Sequence, residues 1–465
     1  MLGPLRDESP SRVRAIFLPV PSTAPMQIKA IIPYHRTLLP TMKRTSPIWL
    51  LALAASTLPL LGPAPAPAAN WPSWRGPTND GATEETDLPL TWSTTENVKW
   101  KVTLPDRGNS TPAVWGDKVF VTQPIEREGK RQLLCFDKTT GKQLWEAGIT
   151  YREPELTHAT NPYCSASPAT DGERVVVFFG SAGVYCYDMA GKELWKRTDL
   201  GRQHHIWGNG TSPVIAGDRV FLNFGPGEKT VLYCFDKKTG KTLWEHKEPG
   251  GDSGEGPGKK WLGSWSDPLL RKVENRYELF MTYPGRACAF DPMTGKELWT
   301  CDGLTALVYN SPVYADGLVV AVSSYGGSGM VVKAGGNGNV TSTHRLWHLP
   351  KIQQRIGSGV VHEGLYHILT DGGIAECRDL KTGGVVWNER LKGPGPTGQN
   401  WSSLVRSGDR LYAANQGGDC FVFKASPSFE LLATNSLGEK IIGSIAVSDG
   451  HLFIRSYQKL WCIGK

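Results

Sequence analysis

The chain has 465 residues, with 51 Lys and Arg against 44 Asp and Glu, for a formal net charge of +7. Residues 1–69 carry seven of the basic residues and two of the acidic ones, so the remainder is close to neutral at +2. That balance leaves no electrostatic footprint for nucleic acid, and the length is ample for a large core.

Residues 1–41 show no sustained periodicity and read either as a disordered extension or as a start assigned too far upstream, with Met42 the initiator. From Met42 the pattern changes to Lys43 and Arg44, an apolar run from Ile48 to Leu61, and small residues up to Ala69. A basic head, short apolar core and small-residue tail predict a cleavable signal peptide over 42–69 and a periplasmic or extracellular protein. The core is short for a transmembrane span, so none is expected in the mature chain. Residues 70–96, beginning Asn70-Trp-Pro-Ser-Trp-Arg-Gly, form a Trp-rich opening segment. Asn97–Leu104 then alternates as a strand.

From there the chain repeats itself. Cys234-Phe-Asp-Lys-Lys-Thr-Gly-Lys-Thr-Leu-Trp244 contains a strand, an Asp-to-Gly turn and a returning strand that ends on a large apolar anchor. The same text ends on Trp145, Trp299 and Trp387, with a copy one residue shorter ending on Trp195. Units separated by Gly-Asp or Asp-Gly hairpins start near Ser110, Ser165, Thr211, Trp265, Asn310, Ile356, Trp401 and Ile442, which predicts eight. The fifth and seventh units have degraded copies of the motif; if either is irregular, seven blades remain. The eighth holds three strands, and Asn97–Leu104 supplies its fourth, with Trp100 in the anchor position.

This spelling resembles the tryptophan-docking motif of the pyrroloquinoline-quinone-type (PQQ-like) β-propeller family, with Cys mostly replacing the family's Ala. The resemblance implies an all-β, eight-bladed propeller over 97–465, built of four-stranded antiparallel blades and closed by the N- and C-terminal strands. It also implies that each anchor Trp wedges neighbouring blades together, and that the opening segment covers part of the disc. Quinoprotein dehydrogenases and the propeller lipoprotein of the outer-membrane β-barrel assembly machinery share this architecture. No Cys follows the apolar core of the leader to carry a lipid.

Cys135, Cys186, Cys234, Cys377 and Cys462 occupy one repeat position in different blades and are expected to be too far apart to bridge. Cys164, Cys288, Cys301 and Cys420 lie outside that register, and a bond among them is left open. No Cys/His spacing suits zinc, and no metal site is expected.

Functional groups on a propeller gather where each first strand begins. Those segments nominate His204, Trp207, Trp265, Asn310, Arg355 and Trp401 as a rim of aromatic, amide and charged groups, alongside His158, Asn161 and Tyr309. Because adjacent residues on an extended segment point opposite ways, His204 and His205 are not expected to share a metal. Gly250–Gly258 reads as a mobile loop on the same face, a partial lid. Two functions stand. One is a non-catalytic platform for a protein or a small planar or polar ligand, with no cofactor firmly implied. The alternative, carried by the resemblance, is a quinoprotein oxidoreductase acting on an alcohol or sugar with PQQ and calcium, in which Asp267 is the catalytic base or a calcium ligand.

Overall fold

The computed structural model describes residues 69–249, 251–396 and 398–465; the expected signal peptide and the segment before it lie outside the described residues. Eight sheets are each built on four antiparallel strands. Blade one comprises Ala113–Trp115, Lys118–Ile125, Lys130–Asp137 and Gln143–Thr150, and the pattern repeats along the chain. The second and third strands of a blade are covered on both sides by neighbouring blades and read as continuous apolar runs, such as Val231–Asp236. Outer strands alternate between exposed and partly buried positions because one face meets solvent, as in Gln143–Thr150.

The eighth blade joins Ala446–Ser448, His451–Arg455 and Lys459–Ile463 to Val98–Thr103, with Trp100 opposite Cys462. Pairing the two ends of the chain in one sheet removes the free edges that an open arc would expose. A second feature closes the circle at its centre. The backbone N–H groups of Thr111, Ser167, Ser212, Asp267, Ser311, Ser358, Ser403 and Ser444 each donate to the side-chain oxygen of the next residue in that order. Ser444 donates back to Thr111, and all eight distances lie between 2.7 and 3.1 Å. Each blade contributes one member, so the cycle counts eight blades independently of the sheets.

Between blades, Trp100, Trp145, Trp195, Trp244 and Trp347 lie over the turn glycines of the following blade: Gly141, Gly191, Gly240, Gly295 and Gly383. Their indole N–H groups donate to turn carbonyls at 2.8–3.2 Å. The glycine is required twice over. At Gly240 φ is +71°, and a Cβ there would sit 2.5 Å from the Trp195 ring. Gly240→Ala should therefore cost more in urea unfolding than the roughly 1–3 kcal/mol of backbone strain alone, whereas Gly256→Ala, with open space around it, should cost only that strain.

The degraded motifs have structural counterparts. The Gly/Asn insertion of the fifth unit places Gly338–Asn339 beside Trp299–Thr300 as a fifth, parallel strand on blade four. Blade seven has Ala433 opposite Val422, where the anchor Trp stands elsewhere. All nine cysteines are free and buried, so the four outside the repeat register form no bond with one another. Within the segment read as a loop, Asp252–Ser253 pairs with Trp261–Leu262, and Gly263–Ser264 continues in parallel beside Leu307–Val308. The Asp252 carboxylate closes its turn by accepting the N–H groups of Gly254 and Lys260. No helix among the described residues is long and apolar enough to cross a membrane.

Candidate functional site

The opening segment stops one end of the central channel. Trp71 is fully buried and pairs with Val114. Arg75, 3 % exposed, donates to the carbonyls of Leu404, Gly359 and Asp80 at 2.6–2.9 Å, directly beneath two members of the hydroxyl ring. Burial pulls its pKa down to about 10. Ala82–Thr83 adds a short parallel strand to blade seven. The channel is therefore a cup: plugged below by residues 71–83, floored by Thr111, Ser167, Ser212 and Ser444, and open on the face where the first strands begin. Its cavity measures about 290 Å³.

One wall is aromatic. Trp207 stacks on Tyr325 with ring centroids 5.6 Å apart and planes 19° from parallel. Tyr309 lies 4.4 Å from Trp265 and 5.8 Å from Tyr325. The wall is braced from behind. Asn161 donates to the Trp207 and Asn209 carbonyls, and the Trp265 indole donates to the Gly208 carbonyl. His205 stands edge-on to Trp265 at 4.8 Å; burial lowers its pKa to about 4, so the ring is neutral at ordinary pH. Tyr325 occupies φ +56°, a left-handed conformation uncommon for a bulky residue, at the tip of the loop from Ser323 to Ser328.

Arg355 joins this wall to Trp401. Its guanidinium sits 4.1 Å over the Tyr325 ring, donates to the Tyr325 hydroxyl at 2.7 Å, and donates to Asp371 at 2.8 Å. The second oxygen of Asp371 accepts the Trp401 indole N–H, also at 2.8 Å. Burial works against the charge on Arg355, but Tyr325 and Asp371 hold its pKa above the usual value. The cation is thus already paired. The rest of the lining includes a polar, uncharged stretch of Asn109, Thr160 and Ser165, with His158 beside it and Asn161 joining it to the aromatic wall. Asn109, 9 % exposed, donates to the Thr160 carbonyl and leaves its Oδ1 without a partner.

Of the residues nominated from sequence, Trp207, Trp265, Arg355 and Trp401 line the cup together. Asn310 stands behind it, fully enclosed, donating to the Arg355 carbonyl and accepting from Gln354. His204 points away and meets Glu255 at 2.7 Å on the hairpin. Asp267 is a member of the hydroxyl ring, not a group facing the cavity: it accepts the Ser212 N–H at 2.7 Å and is 5 % exposed. Sequence reasoning missed Trp74, which reaches up from the plug to Ser444, and Tyr325. Trp74 was legible only as part of a cover, and the loop bearing Tyr325 has no repeated spelling to mark it.

A family model described as outer membrane protein assembly factor BamB matches residues 86–222, 130–260 and 228–465. The chain belongs to this PQQ-like β-propeller family. No curated protein sequence matches it. Among solved structures, BamB from Moraxella catarrhalis is 14% identical with a TM-score of 0.55, covering 79% of this chain and 97% of its own. A europium-containing methanol dehydrogenase is 14% identical with a TM-score of 0.61, covering 84% and 90%. The quinohemoprotein alcohol dehydrogenase from Comamonas testosteroni is 12% identical with a TM-score of 0.61, covering 85% and 81%. At these identities the likeness is one of fold.

Members of a PQQ-like family invite the question of whether this cup suits the quinone and calcium. Among the described residues lining it, none is Asp or Glu, and Arg355 is the one permanent cation. Calcium takes six or more hard oxygen ligands, usually with carboxylates among them. The nearest candidates are committed elsewhere: Asp371 to Arg355 and Trp401, Asp267 to the ring. PQQ is a tricarboxylate and would bring its negative charges to a single cation that already has a partner. The residues present do not fit the pair.

Proposed function

We propose that this protein is an exported, non-catalytic PQQ-like propeller that binds a ligand or partner in the mouth of its channel. The observation that carries this reading is the composition of the cup: a preformed aromatic wall and a polar wall, with no carboxylate free to act as base or metal ligand. Export is supported by the leader-like pattern of residues 42–69. The fold likeness extends to a BamB and to two dehydrogenases alike, so it favours neither reading over the other.

Titrating the protein with PQQ and Ca²⁺, followed by tryptophan fluorescence and by dye reduction in the presence of alcohols and aldoses, tests the reading. The expected result is no turnover with any of them. Saturable PQQ binding coupled to dye reduction would replace this reading with the oxidoreductase.

A further inference from the structure

The two walls of the cup differ in a way that narrows the ligand. Trp207, Tyr309, Tyr325 and Trp265 present ring faces and edges on one side. The other side presents hydroxyls, an amide and an imidazole, with the Asn109 Oδ1 buried and unpartnered. A purely apolar ligand would offer no donor to the lone pairs that the Thr160 and Ser165 hydroxyls keep beyond their bonds to His158 and the Pro162 carbonyl. An ionic ligand would find no free countercharge, because Arg355 is paired with Asp371. What suits both walls is a neutral ring with apolar C–H faces and a rim of hydroxyls.

We propose, on the reading of the channel mouth as a binding site, that the cup takes the end of a neutral oligosaccharide. One sugar ring packs against Trp207 on the aromatic wall, and its hydroxyls meet Asn109, Thr160 and Ser165. A volume of about 290 Å³ is at the small end for ligand pockets and suits a single ring. The aromatic surface does not stop at the lip. Trp261, 55 % exposed, lies 5.2 Å from Trp207, and Tyr325 is 48 % exposed. Large apolar groups left facing water beside a cavity mark a contact surface, and here they extend the stacking wall to a second ring. The hairpin that carries Trp261 is held in place by its pairing with Leu307–Val308, so the second position is preformed.

The test is isothermal and fluorescence titration of the protein with cellotriose, maltotriose, laminaritriose, xylotriose and chitotriose, each taken to millimolar concentration. An oligogalacturonate serves as the charged comparison, with indole-3-acetate and adenosine as planar probes. At least one neutral trisaccharide should saturate. Trp207→Ala and Asn109→Ala should each weaken it about tenfold, the loss of one stacking or hydrogen-bonding contact. Trp261→Ala should weaken a trisaccharide more than the corresponding monosaccharide. Tyr277→Ala, an exposed residue on the outer surface, should leave binding unchanged, and circular dichroism checks that each variant folds. Saturation by a planar probe or by the uronate, with no neutral sugar binding, would overturn the carbohydrate assignment while leaving the cup a ligand site. Silence from every probe would remove the cup itself as a small-ligand site.

Discussion

Trp299→Ala should be among the most destabilising single substitutions in this protein, costing about 3–5 kcal/mol from lost burial and the cavity together. Trp299 is fully buried, unlike the anchors at Trp145 and Trp387, which keep part of their surface in water. It also has a different partner. Its indole donates at 2.8 Å to Glu278, itself 0 % exposed, whose other oxygen is held by Arg276 at 2.7 Å. Truncation therefore opens a hole and strips a buried carboxylate of a hydrogen bond, which adds a further penalty. The fifth unit has no turn glycine to receive the tryptophan, and the buried carboxylate does that job. Trp299→Phe keeps most of the volume and loses only the N–H, so its cost should be clearly smaller. Urea midpoints for Trp299→Ala, Trp299→Phe and Trp145→Ala give the comparison; equal losses for the two alanine variants would contradict the account.

Asp267→Ser should stabilise the protein, increasingly so as pH rises. Seven members of the central ring accept their hydrogen bond through a hydroxyl, and Asp267 alone does so through a carboxyl. Burial pushes its pKa up to about 8, against which the Ser212 bond and the Arg75 charge pull only in part. A folded pKa above the unfolded value means the native state holds a proton that the unfolded chain releases. The cost is absent below about pH 4 and grows as pH rises towards about 8, by at most about 1.4 kcal/mol per pH unit. The wild type should lose stability across that window relative to Asp267→Ser, and thermal unfolding from pH 4 to pH 8 measures it. Parallel curves for the two proteins would mean that Asp267 is ionised in the ring. The outcome also bears on function, since a carboxyl protonated at neutral pH and facing away from the cavity is poorly placed to act as a base.

Much of the fold was legible because a repeat is a periodic message. The Asp-to-Gly turn and its closing Trp mark the same hairpin each time, and the register puts Cys135, Cys186, Cys234 and Cys377 opposite the tryptophans they face. Closure was legible as well, since a lone strand at 97–104 and a unit short by one strand have each other as the obvious remedy. The two irregular units showed as spelling errors, but what replaced the missing contacts did not. Nothing in the text around Gly338 announces a fifth strand on blade four, because that pairing depends on which outer strand is near in space.

The site was legible in position more than in role. Trp207, Trp265, Arg355 and Trp401 could be nominated because they precede first strands, and that end of each strand necessarily faces one rim. The same rule nominated Asp267, Asn310 and His204, which serve the ring, the backing of the wall and the hairpin. Along an extended segment, neighbouring side chains point to opposite sides, so one residue of register separates a lining group from a structural one.

By itself, the sequence determined the modular build, the tryptophan wedges between modules and the strand exchange that closes the circle, all of which follow from local spacing repeated many times. It left the count at eight or seven. Only the tertiary structure decided that Asp267 completes a ring, that residues 71–83 plug the channel and that Tyr325 and Trp74 reach the cup. Those outcomes depend on which groups from distant blades converge on one axis, and no local pattern encodes that.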